Sequence, residues 1–177
     1  MDNRQYSRAQ RQLHWWVACL IAVQFLGQNA MRSAMERVDA AHTPALGDFL
    51  ITTGHSLIGL SLFVLVIWRI RLRKRNPVPV AGKQVMSGFT TLVRAWHRSL
   101  YLAIAFMAVT GALSYYVDLN LAQRLHELGK WVLGTLVIGH ILAALMHWLI
   151  FKDQVLQGML VQARDADTIR GSDRSQD

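Results

Sequence analysis

The stretch HELGKWVLGTLVIGHILAALMHWLI, residues 126–150, decides the fold. From Trp131 to Phe151 it runs for twenty-one residues without a charge, which is enough helix to cross a bilayer core of about 30 Å at about 1.5 Å per residue. Yet it carries His126, His140 and His147, and a polar side chain in hydrocarbon is costly unless it has work to do. Three more windows free of charge lie outward from it: residues 12–31, 49–68 and 99–117, of twenty, twenty and nineteen residues. Four such windows in 177 residues predict four membrane-spanning helices at about 12–31, 49–68, 99–117 and 121–151. The expected fold is therefore all-α, an integral membrane four-helix bundle formed by residues 1–162, with a polar tail from 163 to 177 that is too poor in apolar residues to fold.

The overall balance fits. Hydrophobic residues make up 53% of the chain and charged ones 17%, yet the net charge is +8. Such basicity would suit a nucleic-acid binder if the cations lined an aromatic face. They gather instead at the ends of the apolar windows, which excludes nucleic acid as the partner and leaves membrane lipid. The segment before residue 12, the segment from Arg69 to Arg98 and the segment from Lys152 onward hold fifteen of the nineteen Lys and Arg residues. The positive-inside rule then places both termini in the cytoplasm, and "RIRLRKR" (69–75) anchors the chain beside anionic lipid. No cleavable signal peptide is expected, because the first apolar run is too long for one. Cys19 is the only cysteine, so an intrachain disulfide and a CxxCH haem attachment are both ruled out.

The histidines carry the chemistry. Fourteen residues advance a helix within about 40° of four full turns, so His126 and His140 share a face about 21 Å apart along the axis. Two other spans offer one histidine each at opposite depths: His14 at the cytoplasmic end of the first, and His55 seven residues into the second, on the outer side. This pattern suits two stacked bis-histidine haem centres inside a helical bundle. Setting His126 level with His55 brings His140 level with His14, and Arg69 to the same level. The competing pairing of His14 with His147 and His55 with His140 sets the irons only about 10 Å apart along the axis, where two macrocycles collide. Small residues a turn beyond each ligand favour the first pairing: Ala18, Gly59, Gly129, Ala143 and Ala144. A metal transporter would want carboxylates on its path, and the four windows have none.

Other residues have two readings each. Arg11 and Arg69 on the inner side, and Arg124 and Lys130 on the outer, are placed for haem propionates or equally for membrane anchoring. His147 is either a quinone contact that relays a proton or a plain interfacial histidine. His97 reads as an interfacial residue of an aromatic belt, and His42 as a solvated loop residue.

The motifs YSRAQRQLHWW (6–16), GHSLIG (54–59), WRIRLRKRNPVP (68–79) and LHELGKWVLGTLVIGHILAALMHWLIFKD (125–153) resemble the bacterial cytochrome b561 family, which is related to the cytochrome b subunits of nickel-iron hydrogenases and formate dehydrogenases. The resemblance implies a dihaem b-type cytochrome of the bacterial inner membrane. It implies His14, His55, His126 and His140 as axial ligands of two non-covalent haems b. It implies an exchange of electrons between a small-molecule or protein donor on the periplasmic side and ubiquinone or another quinone. It matches His147 to a cytoplasmic-side quinone site, with Lys83 a weaker candidate for it. Whether the chain is an enzyme stays open: one branch is a superoxide:ubiquinone oxidoreductase, and other relatives serve a partner dehydrogenase. The outer side, with four basic and five acidic residues, does not favour steering of superoxide.

Overall fold

The computed structural model describes residues 7–40, 45–75 and 87–149. Lys83, His42 and the tail from 163 to 177 lie outside the described residues, as does the side chain of His147.

Five helices account for the described chain: α1 (Arg8–Leu26), α2 (Gln28–Ala40), α3 (Leu46–Arg75), α4 (Ser87–Val117) and α5 (Asn120–Leu149). Helix α1 starts on a reciprocal cap, in which Gln10 N–H donates to Ser7 Oγ at 3.2 Å and Ser7 N–H to Gln10 Oε1 at 3.0 Å. It stops at Gly27, fifteen residues into the expected span of 12–31. Absence of charge is not apolarity, and Gln28 and Asn29 are uncharged but polar. The helical hydrogen bonding resumes at once, with Met31 N–H donating to Gly27 O at 2.9 Å. Residues 28–40 form a separate amphipathic helix, α2. Its half-buried Met31, Met35 and Val38 flank the fully buried Ala34, while Arg32, Ser33, Glu36 and Asp39 are exposed.

The described residues thus form five helices. Three of them, over Leu46–Arg75, Thr91–Val117 and Asn120–Met146, are long and apolar enough to cross a membrane. Helix α1, with 19 residues and Arg8 and Arg11 in its first turns, is the shortest of the four histidine-bearing helices. Helix α3 continues through "RIRLRKR" to Arg75, so this basic run is helical, and its cations complement the C-terminal dipole.

Successive long helices run antiparallel. One end of the bundle, termed the basic end, gathers the start of α1, the end of α3, the start of α4 and the end of α5. The other, the turn end, holds Gly27, α2 and the α4–α5 connection. Arg37 pins α2 there, donating from Nε and Nη2 to Asp48 Oδ1 at 2.9 and 2.6 Å; this partner raises the guanidinium pKa above its ordinary value. Asp118 joins α4 to α5 with φ of 55°, and Leu119 N–H reaches back to Leu113 O at 3.3 Å. Asp is among the few residues other than Gly that tolerate this left-handed conformation.

The core is a thin seam of Val17, Ile21, Leu62, Val66, Leu100, Ile104 and Leu133 at the middle of the bundle. Outward, Trp16, Leu102 and Trp131 are 63%, 70% and 72% exposed. Such a surface is a liability in water and a lipid-facing belt in a bilayer. Helix α1 packs on α3, α3 on α4, and α4 on α5 along most of its length. The last contact depends on small residues: a Cβ at Gly129 would lie 2.7 Å from Met107 Sδ, and one at Gly139 2.5 Å from Trp96 Cζ2. No comparable backbone contact joins α5 to α1 or to α3 among the described residues. Side chains bridge those wider gaps, and the histidines are among them.

Candidate functional site

The helices bring the histidines together in two pairs. His14 of α1 and His140 of α5 stand 6.2 Å apart between ring centroids at 72°. His55 of α3 and His126 of α5 stand 6.4 Å apart at 71°. All four are partly buried. The rejected pairing of His55 with His140 has no counterpart in these contacts.

These separations test the fit of a haem iron directly. A metal–imidazole bond of about 2.0 Å on each side, plus about 1.1–1.2 Å from each ligating nitrogen to its ring centre, spans about 6.3 Å. Both pairs meet that value, and imidazole is the right donor for the metal. The spacing lies within the range of an edge-to-face ring contact and is too long for an N–H···N bond. The residues fit a bis-histidine haem at each pair.

His126 is the most firmly oriented of the four. Its Nδ1–H donates to Met107 O at 3.0 Å, and Thr110 Oγ1 lies 3.3 Å from the same nitrogen. Because Met107 O can only accept, Nδ1 carries the proton and Nε2 keeps its lone pair for a metal. Thr110 is itself buried and donates to Phe106 O at 2.8 Å. Gly111 makes the arrangement sterically feasible: a Cβ there would lie 2.9 Å from His126 Cε1 and 3.1 Å from Nδ1. The His55 backbone is tied to α1, since Gln24 Nε2 donates to His55 O at 3.0 Å. One helical turn further along α3, a Cβ at Gly59 would meet only Gln24 Nε2, at 3.7 Å.

At the basic end a third histidine joins. His97 of α4 lies 5.1 Å from His140 at 84°, and its Nδ1 donates to Val93 O at 2.8 Å. Sequence reasoning placed His97 in an interfacial belt. The signal it passed over is that His97 and Gly111 are fourteen residues apart on α4, as are His126 and His140 on α5. Met107, Thr110 and Gly111 were likewise not singled out, because a carbonyl or a glycine acting as a cradle leaves no mark on composition. One turn from His97, Tyr101 Oη is buried without a hydrogen-bond partner among the described residues.

The basic residues divide. Half-buried Arg69 donates from Nη1 to Gln10 O at 2.7 Å, and its charge acts on His14, His97 and His140. Arg11 is half-buried in α1, three residues before His14. Lys130 lies one turn after His126 but is held by Glu127 at 3.0 Å, which also faces Arg32 at 3.9 Å. Arg124 is exposed in a cleft of about 550 Å³ with Asn120, Gln123, Glu127 and Leu128, about 200° around α5 from His126. The structure thus brings Arg69 to the histidines and turns Arg124 away.

Comparison with known proteins gives the family. Residues 5–161 match the family described as prokaryotic cytochrome b561. The chain belongs to that family. A similar protein is cytochrome b562 of Cereibacter sphaeroides, 28% identical over 160 residues that cover 88% of this chain and 94% of the relative. As a member of the cytochrome b561 family, the chain is a b-type membrane cytochrome that binds haem b and serves electron transfer. Its lipid-facing surface and apolar helices are those of such a protein.

Proposed function

We propose that the chain is a dihaem cytochrome of the bacterial inner membrane that moves electrons between a donor on the periplasmic side and the quinone pool. The observation that carries this is the pair of imidazole pairs, each at the spacing of a bis-histidine metal centre and set about 21 Å apart along α5. His14 and His140 hold one haem b, His55 and His126 the other. Haem b held by these histidines would supply reversible one-electron chemistry.

The chain's own residues bind and orient. Met107 O fixes the tautomer and ring angle of His126. Arg69 lends positive charge beside the other pair and suits a propionate there, as does Arg11. Helix α1 is the fourth span, with Arg8 and Arg11 extending toward the headgroups. Fifteen of nineteen cations lie at the basic end or in the segments continuous with it, which supports cytoplasmic termini. His147, seven residues past His140, is the residue offered to a quinone carbonyl and its proton on that side; Lys83 is a second candidate. Superoxide as the donor has less support, because Glu127 lies against Lys130 and Arg32, and Asp48 pairs with Arg37, three of the four cations on the His126 side.

The test is a titration of purified protein. Dithionite reduction is expected to give a b-type α band with two haems per chain, and the reduced protein is expected to be reoxidised by a soluble ubiquinone analogue. One haem per chain would remove the dihaem assignment. Reoxidation no faster than in buffer would remove the quinone.

A further inference from the structure

Helices α4 and α5 are antiparallel and in register, so a step of fourteen residues on one is matched by fourteen on the other. Gly111 faces His126 at the turn end, and His97 faces His140 at the basic end. The carbonyls four residues before these positions also correspond: Met107 O and Val93 O. At the turn end Met107 O accepts directly from His126 Nδ1 at 3.0 Å, because Gly111 leaves room for the ring. At the basic end a side chain occupies the glycine's place. His97 takes the equivalent carbonyl for itself, its Nδ1 donating to Val93 O at 2.8 Å, and its ring lies between that carbonyl and His140.

We propose that His97 is a positioning residue for His140: it relays to His140 the backbone anchor that His126 receives directly. The bond to Val93 O fixes the His97 proton on Nδ1 and leaves Nε2 as an acceptor. His140 has no hydrogen bond among the described residues, and a metal-bound histidine almost always donates its other ring N–H. The rings stand 5.1 Å apart between centroids with no hydrogen bond between them. An N–H···N bond of about 2.9 Å plus about 1.1 Å to each ring centre needs about the same separation, so a rotation of the His140 ring suffices to make one. With haem bound, His140 Nδ1–H donates to His97 Nε2, and the chain Val93 O, His97, His140 sets the ring plane and basicity of the ligand. The two haems are thereby anchored differently, one on a carbonyl and one on an imidazole. This rests on His140 being an axial ligand.

The test compares His97→Leu, which fills the space without an acceptor, with His97→Gln, which restores one. The readouts are haem content and the midpoint potential of each haem in the purified holoprotein. Loss of the acceptor makes the ligand less basic and favours ferrous over ferric iron. In His97→Leu one haem is expected to show about a tenfold shift in the ratio of ferrous to ferric affinity, a rise of about 59 mV for one electron, or about 10-fold to 100-fold weaker retention. The other haem is expected to stay put, and His97→Gln to lie near the parent. Unchanged potentials and content in His97→Leu would overturn the proposal, as would equal loss in both variants. His140→Ala separates the two levels of inference. If it keeps both haems, the ligand assignment falls; if it loses one while His97→Leu is silent, only the relay does.

Discussion

Gly111→Ala puts the construction of the turn-end site to a quantitative test. The added Cβ would lie 2.9 Å from His126 Cε1 and 3.1 Å from Nδ1, where carbon atoms settle at about 3.5–4.0 Å. Neither the helix backbone beneath the ring nor the bond to Met107 O at 3.0 Å yields easily. The ring must therefore withdraw by about 0.6 Å or more, which exceeds the tolerance of about 0.5 Å for a ligand constellation and stretches the Nδ1 bond past its useful range. Overpacking of this kind costs about 1–3 kcal/mol, equivalent to about 5-fold to 150-fold weaker binding at that site. The helix itself gains about 0.8–1.0 kcal/mol from Gly to Ala, so global unfolding is not the expected result. The assay is haem content by pyridine haemochrome after dialysis against a haem acceptor, beside thermal unfolding. Gly54→Ala is the control, because a Cβ there meets nothing within 4 Å although the residue adjoins His55. Loss confined to one haem in Gly111→Ala, with Gly54→Ala unaffected, is the predicted result. Equal haem retention in both variants would refute the cradle.

Three further outcomes are expected. His147→Ala should retain both haems and slow reoxidation by a ubiquinone analogue; loss of a haem would revive its pairing with His14. Asp118→Gly should raise thermal stability by about 0.5–1 kcal/mol, because glycine takes the φ of 55° without a steric cost, and an unchanged or lower melting temperature would show that the Asp side chain contributes more than its backbone costs. Gly139→Ala should destabilise the fold by about 1–3 kcal/mol, since its Cβ would press on Trp96 at 2.5 Å and disturb the bond from Trp96 Nε1 to Leu136 O; detergent-solubilised protein with an unaltered melting temperature would show that the indole moves freely.

The long apolar helices and both histidine pairs were legible because periodicity and depth are one-dimensional quantities. Fourteen residues on α5, and the depths of His14 and His55, suffice to choose the partners. The break at Gly27 was not legible from charge alone, since a window ends where polarity rises, and Gln28 carries no charge to mark it. Nor was the role of Gly129 read correctly. It serves close packing against Met107 and Phe106 of α4, where its spacing from His126 had suggested a porphyrin face. Gly111 and His97 were missed for a related reason. Their meaning lies in the register between α4 and α5, a relation between two segments that no single segment displays. On the outer side, Glu127 lies 3.0 Å from Lys130 and 3.9 Å from Arg32, and spacing gives no hint of such contacts.

The central claim is that each histidine of α5 shares one haem with one histidine of another helix. Its most direct test is the haem content and reduced-minus-oxidised spectrum of the four variants His14→Ala, His55→Ala, His126→Ala and His140→Ala. The account predicts that every variant loses one haem, that His14→Ala and His140→Ala leave the same residual spectrum, and that His55→Ala and His126→Ala leave the other. A residual spectrum shared by His55→Ala and His140→Ala would contradict it.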